Sequence, residues 1–206
     1  GLQNRPYLKS QPFMLQEFVP GSGAGIFALY NQGQAIAFFA HQRIREKPPE
    51  GGISVFSRSV VVPIELERSA RALLDDVQWH GVAMVEFRQT PTGEYYLMEV
   101  NTRFWGSLQL AIDSGVDFPA LLLAACEGQD LPARIPYREG QQLRWLLGDF
   151  DSLYLYCRGK YNWKLKLRRL LQFLNPLGKH LRYEVNRWED LGPAWQELKN
   201  YIRQLR

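Results

Sequence analysis

The 206-residue sequence has little cysteine, little histidine and no long apolar run. Its two cysteines, Cys126 and Cys157, are too few for a disulfide scaffold and lack the paired spacing of a zinc site. Its three histidines are scattered and form no metal-binding pattern. The apolar stretch over residues 119–126 is far shorter than the roughly 20 residues that cross a membrane, so no transmembrane segment is predicted. The scarcity of cysteine favours a reducing, cytoplasmic setting.

What the sequence does contain is typical of a folded protein, with 46% hydrophobic, 13% aromatic and 22% charged residues, and this composition excludes disorder. The charge is unevenly distributed. Residues 1–134 hold 11 Lys and Arg against 14 Asp and Glu, a net charge of −3, whereas residues 135–206 hold 14 against 7, a net charge of +7. Pro132 and Pro136 mark the change in composition. We therefore predict a domain over residues 1–134 and a basic, mainly helical appendage over residues 135–206.

Alternating hydropathy between residues 12 and 101 predicts an α+β fold with a largely antiparallel sheet flanked by helices. Strands are predicted over residues 13–19, 25–31, 34–45, 53–62, 81–88 and 95–101. Gly21, Gly23 and Gly25 are expected to form a hairpin loop between the first two strands. They do not match a dinucleotide-binding fingerprint, because a strand and not a helix follows them.

Apolar side chains at helical spacing predict the helices. One helix is predicted over residues 64–78. Its buried face is expected to consist of Leu66, Ala70, Leu73, Leu74 and Val77. Ser107 and Asp117 are expected to cap two further helices. In the basic part, helical spacing runs over residues 163–174, and a last helix is predicted over residues 193–205.

Two carboxylates and an amide lie on neighbouring strands of a predicted hairpin. Glu86 is on the first strand, and Glu99 and Asn101 point to the same side of the second, because strand side chains alternate between faces. Such oxygen donors suit Mg²⁺, and Arg103 follows as a fixed cation for a phosphate or carboxylate. The same pattern also fits two solvated acids on an open sheet face, with Arg103 as their ion-pair partner. Burial of Glu86 in an apolar strand would require a cation beside it.

The segments Val85-Glu86-Phe87 and Met98 to Arg103 resemble the metal-binding signature of the ATP-grasp superfamily. The resemblance is to the C-terminal half of the module, as in the ATP-binding domains of biotin carboxylase and carbamoyl phosphate synthetase. It implies that Glu86, Glu99 and Asn101 hold Mg²⁺, or Mn²⁺, on the phosphates of ATP. It also implies that Arg103 is the catalytic arginine.

Two further segments are similar to nucleotide-binding parts of the same superfamily. The first resembles its adenine hinge and consists of Gln16, Glu17, Phe18 and Val19. The second is a basic strand on which Arg43, Arg45 and Lys47 are expected to share one face, with Arg43 and Arg45 as phosphate-binding candidates. An ordinary strand and a charged, solvated edge strand are the alternatives. Trp105 is expected either to form a wall of the acceptor site or to pack in the core.

The resemblance implies an ATP- and Mg²⁺-dependent ligase that joins a small carboxylate to an amine through an acyl phosphate. It covers residues 10–131, and we expect the chain to be a fragment of such a ligase. Its partner would then be the missing N-terminal lobe, and the isolated chain would be inactive. The alternative is a non-catalytic nucleotide-binding or interaction module whose basic tail binds a membrane, nucleic acid or a partner protein. A tail packed on the domain, with solvated Lys and Arg, is a further interpretation.

Overall fold

The computed structural model describes residues 12–132, 135–174 and 180–204, which form one seven-stranded sheet and six helices. The strands are β1 (Ser22–Asn31), β2 (Gln34–Lys47), β3 (Ile53–Val60), β4 (Gly81–Gln89), β5 (Tyr95–Asn101), β6 (Gln142–Arg144) and β7 (Leu181–Tyr183). The helices are α1 (Ile64–Asp76), α2 (Leu108–Ser114), α3 (Phe118–Cys126), α4 (Leu146–Arg158), α5 (Trp163–Leu174) and α6 (Gly192–Gln204).

The sheet has the strand order β5-β4-β1-β2-β3-β6-β7, and every neighbouring pair is antiparallel except β6 with β7. The predicted α+β class with a largely antiparallel sheet is therefore confirmed. Strands β4 and β5 form a hairpin in which residues 84–89 pair with residues 95–101. We call this pair of strands, which carries Glu86, Glu99 and Asn101, the carboxylate hairpin.

Each face of the sheet is covered by its own apolar core, because successive side chains of a strand point to opposite sides. Phe27 and Leu29 of β1 face a cluster that includes residues of α2 and α3. Ala28 and Tyr30 face a second cluster that includes the buried side of α1. The central strand β1 is thus buried on both faces, which fixes its register against β4.

Helix α1 buries a narrower stripe than its spacing predicts. Leu66, Ala70 and Leu74, each four residues apart, are at most 2% exposed. Leu73 is 37% and Val77 is 61% exposed, so their expected burial is wrong. The helix ends at Asp76, which leaves Val77 as its cap residue outside the packed turns.

Of the two side chains predicted to cap α2 and α3, only that of Asp117 makes a capping hydrogen bond. The Asp117 carboxylate accepts a hydrogen bond from the backbone N–H of Ala120 at 3.0 Å. Ser107 occupies the cap position of α2, but its side chain makes no capping hydrogen bond to that helix. In the part of the chain that the structure describes, no single helix passes a length-and-hydropathy test for a membrane span; α2 and α3, bent by 86°, pass it only as a pair.

Two predictions near the start of the described chain are wrong. Residues 13–19 form no strand, and Gly23 and Gly25 lie inside β1 instead of in a hairpin loop. Both edges of β1 are already paired, with β2 and with β4, so β1 has no free edge for a further strand. Gly21, with φ of 151°, is the turn residue that precedes β1.

A register shift in β2 overturns the expectation that Arg43 and Arg45 share one face. Arg43 pairs with Ser57 of β3, and Arg45 pairs with the adjacent residue, Phe56. Neighbouring residues of β3 point to opposite faces, so the bulge at Ile44 turns Arg45 away from the side that Arg43 occupies.

The basic part of the chain contributes to the same sheet. The predicted helices over residues 163–174 and near 193–205 correspond to α5 and α6, although Leu205 lies outside the described residues. Helix α4 and the three-residue strands β6 and β7 were not predicted. Strand β6 pairs with β3, so both sides of the predicted division at residue 134 share one sheet, and the division stays a prediction.

Candidate functional site

The carboxylate hairpin brings its three predicted metal ligands together. Glu86 lies directly opposite Glu99 in the β4–β5 pairing, and Asn101 lies opposite Met84. The side-chain Nδ2 of Asn101 donates to Glu99 Oε1 at 2.8 Å and to Glu86 Oε1 at 3.2 Å. One amide thus links two carboxylates on the same face of the sheet.

Arg43 is the cation that meets Glu86. Its Nη2 donates to Glu86 Oε2 at 2.7 Å, and its Nη1 donates to Glu46 Oε1 at 3.2 Å. Burial lowers the pKa of the Arg43 guanidinium, but the charge and hydrogen bond of Glu86 outweigh burial and raise that pKa above its ordinary value. Arg43 of β2 and Glu86 of β4 lie on either side of β1. Gly23 of β1 lies beside the Arg43 guanidinium, where a Cβ would be 3.0 Å from Nη1.

Arg103 is exposed and makes no ion pair in the described ranges. Its Nη1 donates only to the carbonyl oxygen of Phe104, at 3.1 Å. The alternative in which Arg103 is the ion-pair partner of Glu86 and Glu99 is therefore wrong, since Arg43 takes that place at Glu86. The Arg103 guanidinium keeps most of its donors available to an anion.

These side chains line one cavity of about 610 Å³, which we call the hairpin cavity. Its volume lies in the range of small-molecule sites. Its wall includes five residues discussed above, Arg43, Glu86, Glu99, Asn101 and Arg103. It also includes four residues that were not predicted from the sequence as site residues, His41, Trp145, Glu184 and Glu197.

His41 forms part of the floor of the hairpin cavity and is 5% exposed. Burial, and then the charge of Arg43, lowers the pKa of His41 to about 3, so the ring is neutral at physiological pH. Its Nδ1 lies 3.1 Å from Ser107 Oγ, whereas its Nε2 is buried and has no hydrogen-bond partner in the part of the chain described.

Trp105 both packs in the core and lines the hairpin cavity. Its ring lies 4.3 Å from Phe27 and 5.0 Å from Phe118, centroid to centroid. Its indole Nε1 is buried and makes no hydrogen bond to the described residues. The core interpretation is confirmed by these contacts, and the role in an acceptor site stays a prediction.

The opposite wall of the hairpin cavity comes from the basic part of the chain. Trp145 Nε1 donates to Glu197 Oε1 at 2.5 Å. Burial, and then the nearby charge of Glu197, raises the pKa of Glu184 to about 7. Trp145, Glu184 and Glu197 lie 44, 83 and 96 positions after Asn101, the last residue of the hairpin, so no local pattern could have signalled them.

Two groups of predicted site residues lie elsewhere. Gln16, Glu17, Phe18 and Val19 form no strand and do not line the hairpin cavity; Val19 is tied to β4, where Arg88 Nε donates to its carbonyl oxygen at 3.1 Å. Arg45 is bound to Asp149, with Nε at 2.7 Å and Nη2 at 2.5 Å from the carboxylate oxygens. Their nucleotide-binding roles stay predictions.

A sequence model of the family described as "ATP-grasp in the biosynthetic pathway with Ter operon" matches residues 9–148. The match includes the carboxylate hairpin and Arg43. The chain belongs to the ATP-grasp family. In this ATP-grasp chain Glu184 and Glu197 lie beyond the matched residues, although they line the same cavity.

Solved structures similar to this ATP-grasp chain include three enzymes. They are the phosphoribosylaminoimidazole carboxylase ATPase subunit from Aquifex aeolicus (18% identity, TM-score 0.46), a biotin carboxylase from Campylobacter jejuni (13%, 0.48) and phosphoribosylamine–glycine ligase from Thermotoga maritima (16%, 0.47). The similar regions cover 59%, 62% and 59% of this chain and 38%, 30% and 35% of those chains. No curated protein sequence matches.

Proposed function

We propose that the chain carries the metal-binding and charge-stabilising side of an ATP- and Mg²⁺-dependent ligase that joins a carboxylate to an amine. The observation that supports the proposal is the convergence of Glu86, Glu99 and Asn101 with Arg43 and Arg103 on one cavity, within the family-matched residues. A cavity wall with four glutamates, one asparagine amide and two arginines suits a substrate whose phosphates are partly metal-bound.

The donor set fits Mg²⁺ in number and hardness, because carboxylate and amide oxygens are the ligands that this ion takes. The described residues contain no group of three or more His, Cys, Asp or Glu that could hold a metal, so the amide of Asn101 is needed to complete the set. Its Nδ2 now lies between both carboxylates, and half a turn of the amide would present the Oδ1 atom there instead.

In the proposed reaction, a carboxylate oxygen of the substrate attacks the terminal phosphorus and ADP leaves, which gives an acyl phosphate. The amine then attacks the acyl carbon, phosphate leaves and the amine loses a proton. Mg²⁺ supplies charge neutralisation on the phosphates. Glu86, Glu99 and Asn101 position that charge, and the exposed Arg103 guanidinium stabilises the transferred phosphoryl group. Gln16 to Val19 are proposed to hold the adenine edge, and Arg45 is left without a role at this cavity.

Manganese binding tests the proposal without relying on turnover. We expect Mn²⁺, followed by electron paramagnetic resonance in the presence of ADP, to bind the wild type at least tenfold more tightly than Glu99→Gln. Glu94→Gln is the matched control, since Glu94 is exposed, lies in the turn of the same hairpin and does not line the hairpin cavity. Equal affinities for Glu99→Gln and Glu94→Gln would refute the metal site. A protein that also carries the proposed N-terminal lobe should lose Mg²⁺-dependent ADP formation in Glu99→Gln.

A second candidate function is favoured by the exposed face of α5. Its apolar side chains at helical spacing are 39–68% exposed: Trp163, Leu167, Leu170, Leu171 and Leu174. Lys164, Lys166 and Arg168 lie between them, a combination typical of helices that bind anionic membrane surfaces. Co-sedimentation with phosphatidylglycerol vesicles should then decrease in Leu171→Ser, while equal binding to phosphatidylcholine vesicles would argue against this role.

A further inference from the structure

A second cavity, of about 570 Å³, lies where the end of β2 meets α4 and α5. We call it the arginine pocket. Four of its wall residues are arginines, namely Arg43, Arg45, Arg168 and Arg169, and its single acidic wall residue is Glu46. Only Arg43 is shared with the hairpin cavity, and α5 lies beyond the family-matched residues.

One buried carboxylate beneath the arginine pocket holds several of these guanidiniums. Asp149 is 0% exposed and accepts hydrogen bonds from Arg45, Arg144 and Arg169 at 2.5–2.9 Å. Burial raises the pKa of Asp149, but the hydrogen bond and charge of Arg45, and then of the other arginines, hold it below the ordinary value. Asp149 is therefore ionised and neutralises one of three positive charges.

The surplus positive charge has unused donors. Arg169 is 8% exposed, and its Nη1 is buried with no hydrogen-bond partner among the described residues. The exposed Arg168, next to it on the pocket wall, has no ion-pair partner in the same ranges. A buried donor without a partner destabilises a fold, and unpaired like charges add to that cost. An anion bound in the pocket would provide a partner for both the Arg169 Nη1 donor and the Arg168 charge.

We propose that the arginine pocket binds the phosphate group of a small soluble phosphomonoester. Guanidinium groups bind phosphate oxygens through paired N–H donors, and a dianion matches a surplus of two positive charges around Asp149. The rest of the wall is suited to an organic body, with Ile44, Pro49, Phe56, Tyr156 and Leu165. This site needs neither Mg²⁺ nor a nucleotide, so it goes beyond the proposed ligase chemistry.

Phenyl phosphate is the probe, with benzoate as the monoanion of similar shape and phenol as the neutral control. In metal-free buffer, calorimetry should give phenyl phosphate at least tenfold tighter binding than benzoate, and no binding of phenol. Arg168→Gln should weaken phenyl phosphate binding about tenfold, the effect of losing one charge-assisted contact. The matched control is Lys164→Gln, which removes one exposed charge from the same helix outside the pocket and should leave binding unchanged.

Several outcomes would overturn the proposal: equal affinity for phenyl phosphate and benzoate, equal affinity of the Arg168→Gln and Lys164→Gln variants, or binding only to vesicles that contain phosphatidic acid. Loss of binding in Arg103→Gln would also do so, because Arg103 lines the hairpin cavity and not the arginine pocket. Retained phenyl phosphate binding in Arg103→Gln supports the arginine pocket, whereas the metal site is judged by Mn²⁺ binding in Glu99→Gln, so the two proposals fail separately. Since Arg168 is exposed and outside the Asp149 network, its variant should keep the wild-type circular dichroism spectrum.

Discussion

Replacing Asp149 with Asn tests whether one buried carboxylate fixes α4 and α5 to the sheet. The side chain accepts hydrogen bonds from three arginines that belong to β2, β6 and α5. The side chains of these arginines are 10%, 3% and 9% exposed, so water replaces little of what the carboxylate provides. The Asn variant would leave three guanidiniums with no negative charge among them.

The expected effect is large. Removing one partner of a buried ion pair destabilises a protein by about 3–5 kcal/mol. Asn keeps one acceptor oxygen, but its NH₂ group would face guanidinium donors, so we expect a loss of about 4 kcal/mol in the free energy of unfolding. Domains are typically stable by only about 5–15 kcal/mol, so the urea midpoint should fall far below that of the wild type.

Urea unfolding, followed by tryptophan fluorescence and far-ultraviolet circular dichroism, measures this loss. Asp76→Asn is the control, since Asp76 is exposed at the end of α1 and should cost less than about 0.5 kcal/mol. In the Asp149→Asn background, Arg169→Met should restore at least about 1 kcal/mol, because it removes one of the repelling charges. A loss below about 1 kcal/mol in Asp149→Asn, or a further loss in the double variant, would refute the reasoning.

Three further predictions concern stability. The native state holds a proton on Glu184 up to a pKa of about 7, whereas the unfolded chain releases it near 4.5, so stability should fall by up to about 3 kcal/mol as pH rises through this window. Glu184→Gln should abolish that fall in urea titrations at pH 5 and pH 8. Tyr30→Phe, which removes the 2.7 Å hydrogen bond to Asp75, should cost about 1 kcal/mol in the same assay, and no loss would contradict a contribution from this bond. Leu66→Ala should cost about 2–5 kcal/mol and Leu73→Ala less than about 1 kcal/mol; similar losses would contradict the narrow buried stripe of α1.

The parts of the fold that the sequence predicted depend on local signals. Turn residues and alternating hydropathy placed β5 at its observed bounds and β4 within one residue, and the alternation put Glu99 and Asn101 on one face. The requirement for a cation beside Glu86 was also a local inference, because a carboxylate in an apolar strand needs one. Its identity as Arg43 depends on strand order, which no local pattern contains.

What the sequence did not predict depends on long-range pairing. The bulge at Ile44 has no sequence signature, yet it decides that Arg45 binds Asp149 and not the hairpin cavity. Strands of three residues, such as β6 and β7, are too short for any periodicity to be read. Glu184 directly follows β7, which pairs with β6 at the edge of the sheet opposite β5. This long-range pairing places Glu184 in the cavity wall.

The position of β6 has a practical consequence for choosing where a polypeptide for expression can end. The family match ends at residue 148, the third residue of α4, one residue before Asp149. A polypeptide cut there would keep Arg45 and Arg144 but lose the carboxylate that neutralises them, and β6 would be an edge strand without β7. We therefore expect a stably folded polypeptide to extend past α5, beyond the end of the family match.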